Sequence, residues 1–336
     1  MRNRTAGKFL LAGLLFLAMA AVAKAEPLEF PSRTYGGFPQ LMKGEPSGDV
    51  VIKAILDFPP GPGPHPALVV AHSCAGLNAS GHGERAIIET ASKAGFATLA
   101  YDSFDLRGWQ NVCTGSAGTA GSPSVIADAF AALQALAKDG RIRKDAIFVA
   151  GASMGGMTAW FTALEPLRQR LVVGDLRFAG HSAFYPAGEN GFIADKVFAG
   201  GPILVMFGLD DDWTPPKRVR LLMKSQLAYS KEPPPEIRFV DYEGARHGWL
   251  NVQMRTVKYL PSASSRLHCP LVFTGQGLAA NHLIWVDGRE ADAQPSEMKQ
   301  HLSGCAVPGV NIEGSVSVTE KSLAEMTAFM KQVLGR

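Results

Sequence analysis

Cysteine is scarce in this sequence: only four of its 336 residues are cysteines, and no two of them form a Cys-x-x-Cys pair. Structural zinc sites are commonly built from such pairs, so we expect no bound metal, and the triad chemistry predicted below needs no cofactor. Internal repeats, heptads and low-complexity segments are also missing, which argues against a solenoid or a coiled coil. The length allows one large α/β domain or two small ones.

The sequence has no excess of positive charge once the first residues are set aside. The formal net charge of the full sequence is +3, but residues 1–25 contain four basic residues and no acidic ones, so the remainder has a net charge of −1. This remainder contains no basic run of the kind that binds nucleic acid. We therefore expect no nucleic-acid partner.

The apolar run at residues 9–22 is shorter than a membrane span, which needs about 20 residues. Basic residues precede this run and Ala23-Lys24-Ala25 follows it, in the pattern of a secretory signal peptide and its cleavage site. We predict that residues 1–25 are removed and that the mature protein is periplasmic or secreted, without a stable membrane anchor. No cysteine follows the cleavage site, so a lipid anchor is not expected there.

The even number of cysteines favours disulfide bonds in an exported protein. Cys74, Cys113, Cys269 and Cys305 can pair in three ways. We expect the local pairing, in which Cys74 joins Cys113 and Cys269 joins Cys305.

Apolar runs alternate with amphipathic segments between residues 48 and 249. Continuous apolar runs, such as residues 67–71 and 146–150, are typical of buried strands. Residues 84–94 have a helical pattern, and Ser122-Pro123 has the residue types that begin a helix. Strands that alternate with helices predict an α/β fold, with a mostly parallel central sheet and helices on both faces.

The regions on either side of this pattern are less regular. Residues 26–47 are rich in proline and glycine, and we predict irregular structure there. Residues 250–316 contain one clear strand-like run, at 282–286, and we interpret them as an insertion. A last helix is predicted from about Val318, with Ser317 in capping-box spacing. Residues 26–336 should thus form a single domain with an insertion before its final helix.

The segment Gly151-Ala152-Ser153-Met154-Gly155 lies between a predicted strand and a predicted helix. A G-x-S-x-G sequence in this context is typical of a nucleophile elbow, in which small residues allow a sharp turn and expose the serine hydroxyl. Ser153 is therefore the candidate nucleophile. A serine hydroxyl needs a base within hydrogen-bond reach, and the base needs an orienting acid.

The acid and the base should follow later strands, in that order along the chain. Asp210, Asp211 and Asp212 follow the apolar run at 203–207. The register G-x-x-D-x-x-[TV]-P selects Asp211, with Asp210 as the second choice, because the neighbouring acids could instead cap the next helix. His247 follows the last predicted strand of the sheet and is the candidate base.

An oxyanion hole needs two backbone N–H groups directed at the same oxygen. We assign one to Met154, the residue after the nucleophile, and the other to the loop after residues 67–71. By position the second donor is Cys74, with Ser73 as the alternative. A Cys74 thiol nucleophile is a rival idea, but this cysteine lacks an elbow and has an expected disulfide partner.

With Ser153, Asp211 and His247 placed, the sequence resembles the dienelactone hydrolase family of α/β hydrolases. The matching stretches are HSCAGLN (72–78), YDSFDLRG (101–108), GASMGG (151–156), AFYPAG (183–188), GLDDDWTP (208–215) and YEGARHGW (242–249). The resemblance implies an α/β-hydrolase fold, and its exported members support the pairing of Cys74 with Cys113. The namesake lactonases have a cysteine nucleophile and a glutamate in the oxyanion loop, whereas this chain has Ser153 and Ser73 at those places.

These features predict a serine hydrolase that cleaves a carboxylic ester or lactone, with a small molecule as its substrate. One alternative is a serine peptidase of the prolyl-oligopeptidase kind, although such enzymes usually carry a large N-terminal propeller for which this chain has no room. The other alternative is a binding protein that retains the fold, whose signature would be an incomplete triad.

Overall fold

An eight-stranded sheet forms the centre of the computed structural model, which describes residues 25–77, 82–114, 117–275 and 280–335. Its strands are β1 (Glu26–Thr34), β2 (Gly48–Asp57), β3 (His65–Ala71), β4 (Ala97–Asp102), β5 (Ile142–Ala152), β6 (Gly180–Phe184), β8 (Ile203–Gly208) and β9 (Ile237–Tyr242). Their order is β1-β2-β4-β3-β5-β6-β8-β9. β2 pairs antiparallel with both of its neighbours, β1 and β4, and the other neighbouring strands pair parallel, which confirms the predicted mostly parallel sheet.

Helices cover both faces of this sheet, as the sequence pattern predicts. They are α1 (Phe38–Lys43), α2 (His82–Lys93), α3 (Ala117–Leu136), α4 (Met154–Phe161), α5 (Glu165–Leu171), α6 (Pro216–Tyr229), α7 (Met298–Leu302) and α8 (Val316–Leu334). Side chains alternate along a strand, so Val69 packs in the core formed with α3 and α4, while Leu68 and Val70 pack in the core formed with α2 and α8. Both faces of β3 are therefore buried, which explains its unbroken apolar run.

The prediction of irregular structure over residues 26–47 is wrong. β1 and α1 lie there, and β1 pairs only with β2, at the edge of the sheet. An edge strand has one side free of ladder hydrogen bonds, so it tolerates prolines such as Pro27 and Pro31. The prolines therefore mark an edge position and not the absence of a strand.

Two helix starts also differ from their predictions. α3 begins at Ala117, so Pro123 lies inside the helix and not in its first turn. α8 begins at Val316 because the Ser315 Oγ accepts a hydrogen bond from the Val318 N–H, where Ser317 was the predicted cap. Ser315 is also held by a hydrogen bond from its N–H to the Trp249 carbonyl. A tertiary contact thus selects between two serines that have similar capping propensity.

Residues 250–316 contain more strands than their sequence pattern predicts. They form β10 (Lys258–Ser265), β11 (Leu271–Gly275), β12 (Asn281–Ile284), β13 (Glu290–Ala293) and β14 (Val307–Ile312), together with α7. β10 and β14 form a two-stranded ribbon, whereas β11, β12 and β13 form a second sheet with β7 (Asn190–Ile193). Most of these strands are short and partly exposed, so they lack the long apolar runs that identify buried strands.

Both predicted disulfide bonds are confirmed: Cys74 is bonded to Cys113, and Cys269 is bonded to Cys305. The first links two loops of the α/β body, and the second links two parts of the 250–316 segment. The predicted signal peptide, apart from Ala25, lies outside the described residues. Across the described ranges, no helix is both long and apolar enough to cross a membrane.

Candidate active site

Ser153 lies at the turn between β5 and α4, with φ 56° and ψ −114°. Positive φ is rare for a residue with a side chain, and such strain is concentrated at functional sites. The flanking glycines make this turn possible, because a Cβ on Gly155 would overlap the Ala71 carbonyl oxygen and a Cβ on Gly156 would lie 2.5 Å from the Phe184 oxygen. The Ser153 N–H donates to that same Phe184 oxygen at 3.0 Å, which fixes the turn against β6.

The structure brings Ser153, His247 and Asp211 into one hydrogen-bonded chain. The Ser153 Oγ lies 2.9 Å from the His247 Nε2, and the His247 Nδ1 lies 2.8 Å from the Asp211 Oδ2. All three side chains are buried. The geometry fits a hydroxyl that donates to Nε2 and an Nδ1–H that donates to the carboxylate, which is the arrangement that activates a serine.

The three consecutive acids after β8 have three different environments. Asp211 is buried and contacts His247, whereas the side chain of Asp210 is half exposed and lies 4.0 Å from Arg246. Asp212 accepts hydrogen bonds from the backbone and side chain of Asn311, at 2.9 and 2.7 Å. The acid that contacts the histidine is therefore the one that the register of the sequence selects. None of the three caps α6 through its side chain.

Thr214 also belongs to this constellation, although the sequence analysis did not identify it. Its Oγ1 lies 2.9 Å from the Asp211 Oδ2, 3.1 Å from the His247 Nδ1 and 3.1 Å from the Tyr185 carbonyl oxygen. The backbone N–H groups of Trp213 and Thr214 donate to the Asp211 Oδ1. The threonine of the D-x-x-T-P sequence is the signal that could have indicated this role.

The candidate oxyanion donors lie where two chain segments meet. Met154 is the first residue of α4, and Cys74 lies in the loop after β3. The alternative donor, the Ser73 N–H, already donates to the Glu84 Oε1 at 2.8 Å. This contact leaves Cys74 as the better-placed donor of the loop. Glu84 is buried on the first turn of α2, and its role was not evident from the sequence.

The start of the same loop is fixed by His72. The Ser103 N–H donates to the His72 Nε2 at 3.1 Å, so the ring proton is on Nδ1, which lies 2.8 Å from the Ser73 carbonyl oxygen. The Cys74 sulfur is bonded to Cys113 and is not a free thiol. The rival interpretation of Cys74 as a nucleophile is therefore wrong.

Two aromatic residues enclose the imidazole of His247. The ring of Trp213 lies 4.8 Å from it and the ring of Tyr185 lies 4.9 Å from it, between centroids. Burial raises the pKa of Tyr185 well above its ordinary value, and the negative charges of Glu84 and Asp211 add to this shift. The phenol of Tyr185 therefore stays neutral around pH 7. These walls keep water from the imidazole on two sides.

Two cavities meet at this constellation. A catalytic cavity of about 480 Å³ contains Ser153 and His247, and an adjoining cavity of about 360 Å³ is lined by Met154. Trp213 and the Cys74–Cys113 disulfide line both cavities and so lie between them. Among the described residues, no group of three or more His, Cys, Asp or Glu is arranged to hold a metal ion.

The ribbon of β10 and β14 forms part of the catalytic cavity wall. Residues 260–263 of β10 line it, where the pairing with β14 is interrupted by a register shift. β14 is attached to both catalytic loops: Ile312 forms a bridge with His247, and Asn311 binds Asp212. The segment that was interpreted as an insertion thus contributes directly to the site.

The comparisons with known proteins agree with this geometry. The family model of the dienelactone hydrolase family matches residues 52–268. The chain belongs to the dienelactone hydrolase family. Its match covers β2 to β9, which carry Ser153, Asp211 and His247, and it extends into β10.

Two solved structures are similar to this chain, and the first of them shows the same fold. The dienelactone hydrolase-like promiscuous phosphotriesterase P91, from metagenomic libraries, is 13% identical, with a TM-score of 0.52 over 92% of this chain and 98% of that chain. A thermophilic esterase from Thermogutta terrifontis is 16% identical, with a TM-score of 0.43 over 60% of this chain and 79% of that chain. No curated protein gave a significant match.

Proposed function

We propose that this dienelactone hydrolase family member is a serine hydrolase that cleaves carboxylic esters or lactones through an acyl-enzyme. The hydrogen-bonded chain from Ser153 through His247 to Asp211, on a strained elbow, carries the proposal. Family membership supports hydrolase chemistry, and the serine nucleophile favours esters other than the substrate of the namesake lactonases.

In the first step the Ser153 Oγ attacks the ester carbonyl while its proton moves to the His247 Nε2. Asp211 accepts a hydrogen bond from Nδ1 and stabilises the imidazolium that forms. The N–H groups of Met154 and Cys74 hold the negative oxygen of the tetrahedral intermediate. When the intermediate collapses, the bond between the carbonyl carbon and the leaving oxygen breaks, and His247 returns its proton to the departing alcohol.

In the second step water replaces the alcohol. His247 removes a proton from a water molecule, whose oxygen attacks the acyl carbon bonded to Ser153. Collapse of this second intermediate releases the carboxylic acid and returns the proton to the Ser153 Oγ. Atoms and protons balance over the two steps with the named residues, the ester and one water molecule.

Labelling with a fluorophosphonate probe tests whether the protein is an enzyme or a binding protein. We expect the wild-type protein to be labelled at Ser153, and we expect Ser153→Ala and His247→Ala to lose the label. Lys224→Ala, which changes an exposed residue, is the control and should be labelled like the wild-type protein. Labelling of Ser153→Ala at the wild-type rate would refute the catalytic assignment.

Substrate panels separate an esterase from a peptidase on the same fold. We expect release of 4-nitrophenol from short-chain 4-nitrophenyl esters to be abolished by Ser153→Ala. Peptide 4-nitroanilides should be turned over at a far lower kcat/KM. The reverse ranking would favour the prolyl-oligopeptidase-like alternative.

We also propose that the protein is exported after cleavage next to Ala25. The pattern of residues 1–25 carries this proposal, and two disulfide bonds support it because disulfides persist in oxidising compartments. Mass spectrometry of the protein from fractionated bacterial cells should find an N-terminus at Glu26 in the exported fraction. An uncleaved chain that stays in the cytoplasm would contradict it.

A further inference from the structure

The adjoining cavity differs from the catalytic cavity in its charge. Glu84 and Lys258 give the lining of the catalytic cavity one charge of each sign. The lining of the adjoining cavity includes Glu189, Arg218 and Arg266, and its other residues are uncharged. The adjoining cavity therefore has a net charge of +1.

Arg218 is a buried cation without a carboxylate partner. It is 4% exposed, its Nη1 donates to the Cys269 carbonyl, and its Nη2 donates to the Pro270 carbonyl at 3.2 Å. Within the described part of the chain its Nε has no hydrogen-bond acceptor, and no carboxylate lies within 4.0 Å of its guanidinium. A buried charge that lacks a counterion is costly, so this position is suited to an incoming anion.

The second arginine of this cavity already has a partner. Arg266, which follows β10, lies 2.7 Å from the Glu189 Oε2, and both side chains are partly exposed. Of the two guanidinium groups in the lining, only that of Arg266 is therefore paired with the carboxylate. An anion in the cavity would be attracted by Arg218 without having to displace Glu189 from Arg266.

The position of the cavity assigns it to the acyl part of a substrate. Met154, a proposed oxyanion donor, lines this cavity, whereas His247, which would protonate the leaving alcohol, lines the other one. Met157 and Val219 supply apolar surface for a short chain. Thr214, whose hydroxyl contacts Asp211 and His247, lines the same cavity as Arg218. The cationic group and the triad therefore border one cavity.

We propose that the adjoining cavity is an acyl subsite that binds an acyl group ending in a carboxylate. This inference rests on the proposed function and names its substrate class as monoesters of short dicarboxylic acids. The acyl chain lies along Met154, Met157 and Val219, and its distal carboxylate is held by the field of Arg218 and Arg266.

A pair of substrates that differ in one charge tests the subsite. The substrates are mono(4-nitrophenyl) glutarate and its distal methyl ester, 4-nitrophenyl methyl glutarate, with the rate of the Ser153→Ala protein subtracted as background. We expect kcat/KM of the mature protein to be about tenfold higher for the charged substrate at low ionic strength. This preference should decrease as salt is added, because the cavity is open to solvent.

Two variants move the charge of the cavity in opposite directions. Glu189→Gln should increase the preference for the charged substrate about tenfold, and Arg266→Gln should decrease it by a similar factor. Arg220→Gln is the matched control, because Arg220 lies on the same helix as Arg218 but pairs with Asp241 at the surface. The preference of this variant for the charged substrate should equal that of the wild type. Arg218 itself is left intact, since it holds the Cys269 and Pro270 carbonyls.

The outcomes separate the subsite from the catalytic assignment. Equal or faster turnover of the neutral ester, or a preference that Glu189→Gln and Arg266→Gln do not change, would overturn the acyl subsite. If wild type still hydrolyses the neutral ester and Ser153→Ala does not, the serine hydrolase proposal stands in that case. If neither ester is hydrolysed and Ser153 is not labelled, the proposed function fails, and the subsite fails with it.

Discussion

Thr214 is the residue at which the triad is attached to the rest of the sheet. Its hydroxyl is within 3.1 Å of a carboxylate, an imidazole nitrogen and a main-chain carbonyl at once, on Asp211, His247 and Tyr185. The hydroxyl has one proton to donate, and either Asp211 or Tyr185 can accept it. The Thr214 hydroxyl thus holds the Oδ2 of Asp211, while the backbone N–H groups of Trp213 and Thr214 hold its Oδ1.

Replacement of Thr214 by valine keeps the shape of the side chain and removes the hydroxyl. A hydrogen bond to a charged group contributes about 1.5–3 kcal/mol, so we expect kcat/KM for a 4-nitrophenyl ester to fall about tenfold or more. Thr214→Ser retains the hydroxyl and should stay close to wild type. Steady-state kinetics of the two variants provide the measurement, and a valine variant as active as the serine variant would contradict this role.

The choice among Asp210, Asp211 and Asp212 shows the limit of a residue pattern. Three adjacent acids have the same chemistry, and the sequence separates them only through a register learned from other proteins of this fold. In the structure the turn after β8 places successive side chains in different directions, toward Arg246, His247 and Asn311. All three of these partners come from segments far along the chain.

Among the elements, the loop between β3 and α2 is held by an unusual number of contacts for a loop. His72 and Glu84 bind its backbone at Ser73, the Cys74 carbonyl accepts from the Val112 N–H at 2.8 Å, and the Cys74 sulfur is bonded to Cys113. An oxyanion donor must be fixed before the reaction in order to stabilise the transition state. We therefore expect the disulfide to serve catalysis as well as stability.

Removal of this disulfide in the double variant Cys74→Ser, Cys113→Ser tests that double role. The bond closes a loop of 39 residues, for which chain entropy predicts a loss of about 4 kcal/mol in the free energy of unfolding. We also expect kcat to fall more than tenfold under conditions where the variant is still folded, because the Cys74 N–H is no longer held in place. Denaturant titration and kinetics on the same samples measure the two effects.

The other disulfide provides a matched control for loop closure. Cys269 and Cys305 are 36 residues apart, so Cys269→Ser, Cys305→Ser should lose a similar free energy of unfolding. Neither cysteine lines the catalytic cavity, and we expect kcat for a neutral ester to change by less than about threefold. Equal losses of kcat in both double variants would show that the first disulfide acts only through stability.

At the scale of the whole molecule, the stability of the sheet depends on a histidine that must remain neutral. His181 lies on β6, is 1% exposed, and has its Nδ1 3.0 Å from both the Ala159 carbonyl oxygen and the Thr162 hydroxyl. Burial lowers the pKa of His181 to about 4, although the hydrogen bond to Ala159 opposes this shift. The unfolded chain has an ordinary histidine pKa of about 6.5 at this position.

This difference predicts how stability changes with pH. Between about pH 6.5 and 4 the unfolded chain binds a proton at His181 that the folded protein does not, so the free energy of unfolding falls as the pH falls, by about 3 kcal/mol at pH 4. His181→Gln has no such proton and should lack this contribution. We expect the stability difference between wild type and His181→Gln, from denaturant titrations at pH 7, 5.5 and 4, to shrink or reverse with acidification. A difference that is constant over this range would contradict the prediction.

The order of the central-sheet strands from β2 to β9, and most of the helices between them, could be predicted from the sequence because these elements have clear hydrophobic periods, whereas α5 and β7 were not predicted. β1 and the strands after residue 257 could not, since edge and partly exposed strands have prolines or mixed polarity in place of an apolar run. Ser153 and His247 were found because each follows a strand that is itself recognisable. Glu84 was missed because its role is a hydrogen bond from the backbone N–H of Ser73 on another element, and Thr214 was missed because its contacts with Tyr185 and His247 join segments distant in sequence.

The sequence by itself therefore determined the class of fold, the elbow at Ser153 and the chain order of nucleophile, acid and base, because these follow from local periods and from the small residues around the turn. Only the tertiary structure decided which aspartate contacts His247 and how residues 250–316 enclose the site. It also decided that the Ser73 N–H, in the loop after β3, donates to Glu84 and so leaves Cys74 as the candidate donor. It also placed Arg218 in the wall of the adjoining cavity, where no carboxylate of the described residues pairs with its guanidinium. Those features depend on distances between residues far apart along the chain, and a linear pattern does not contain them.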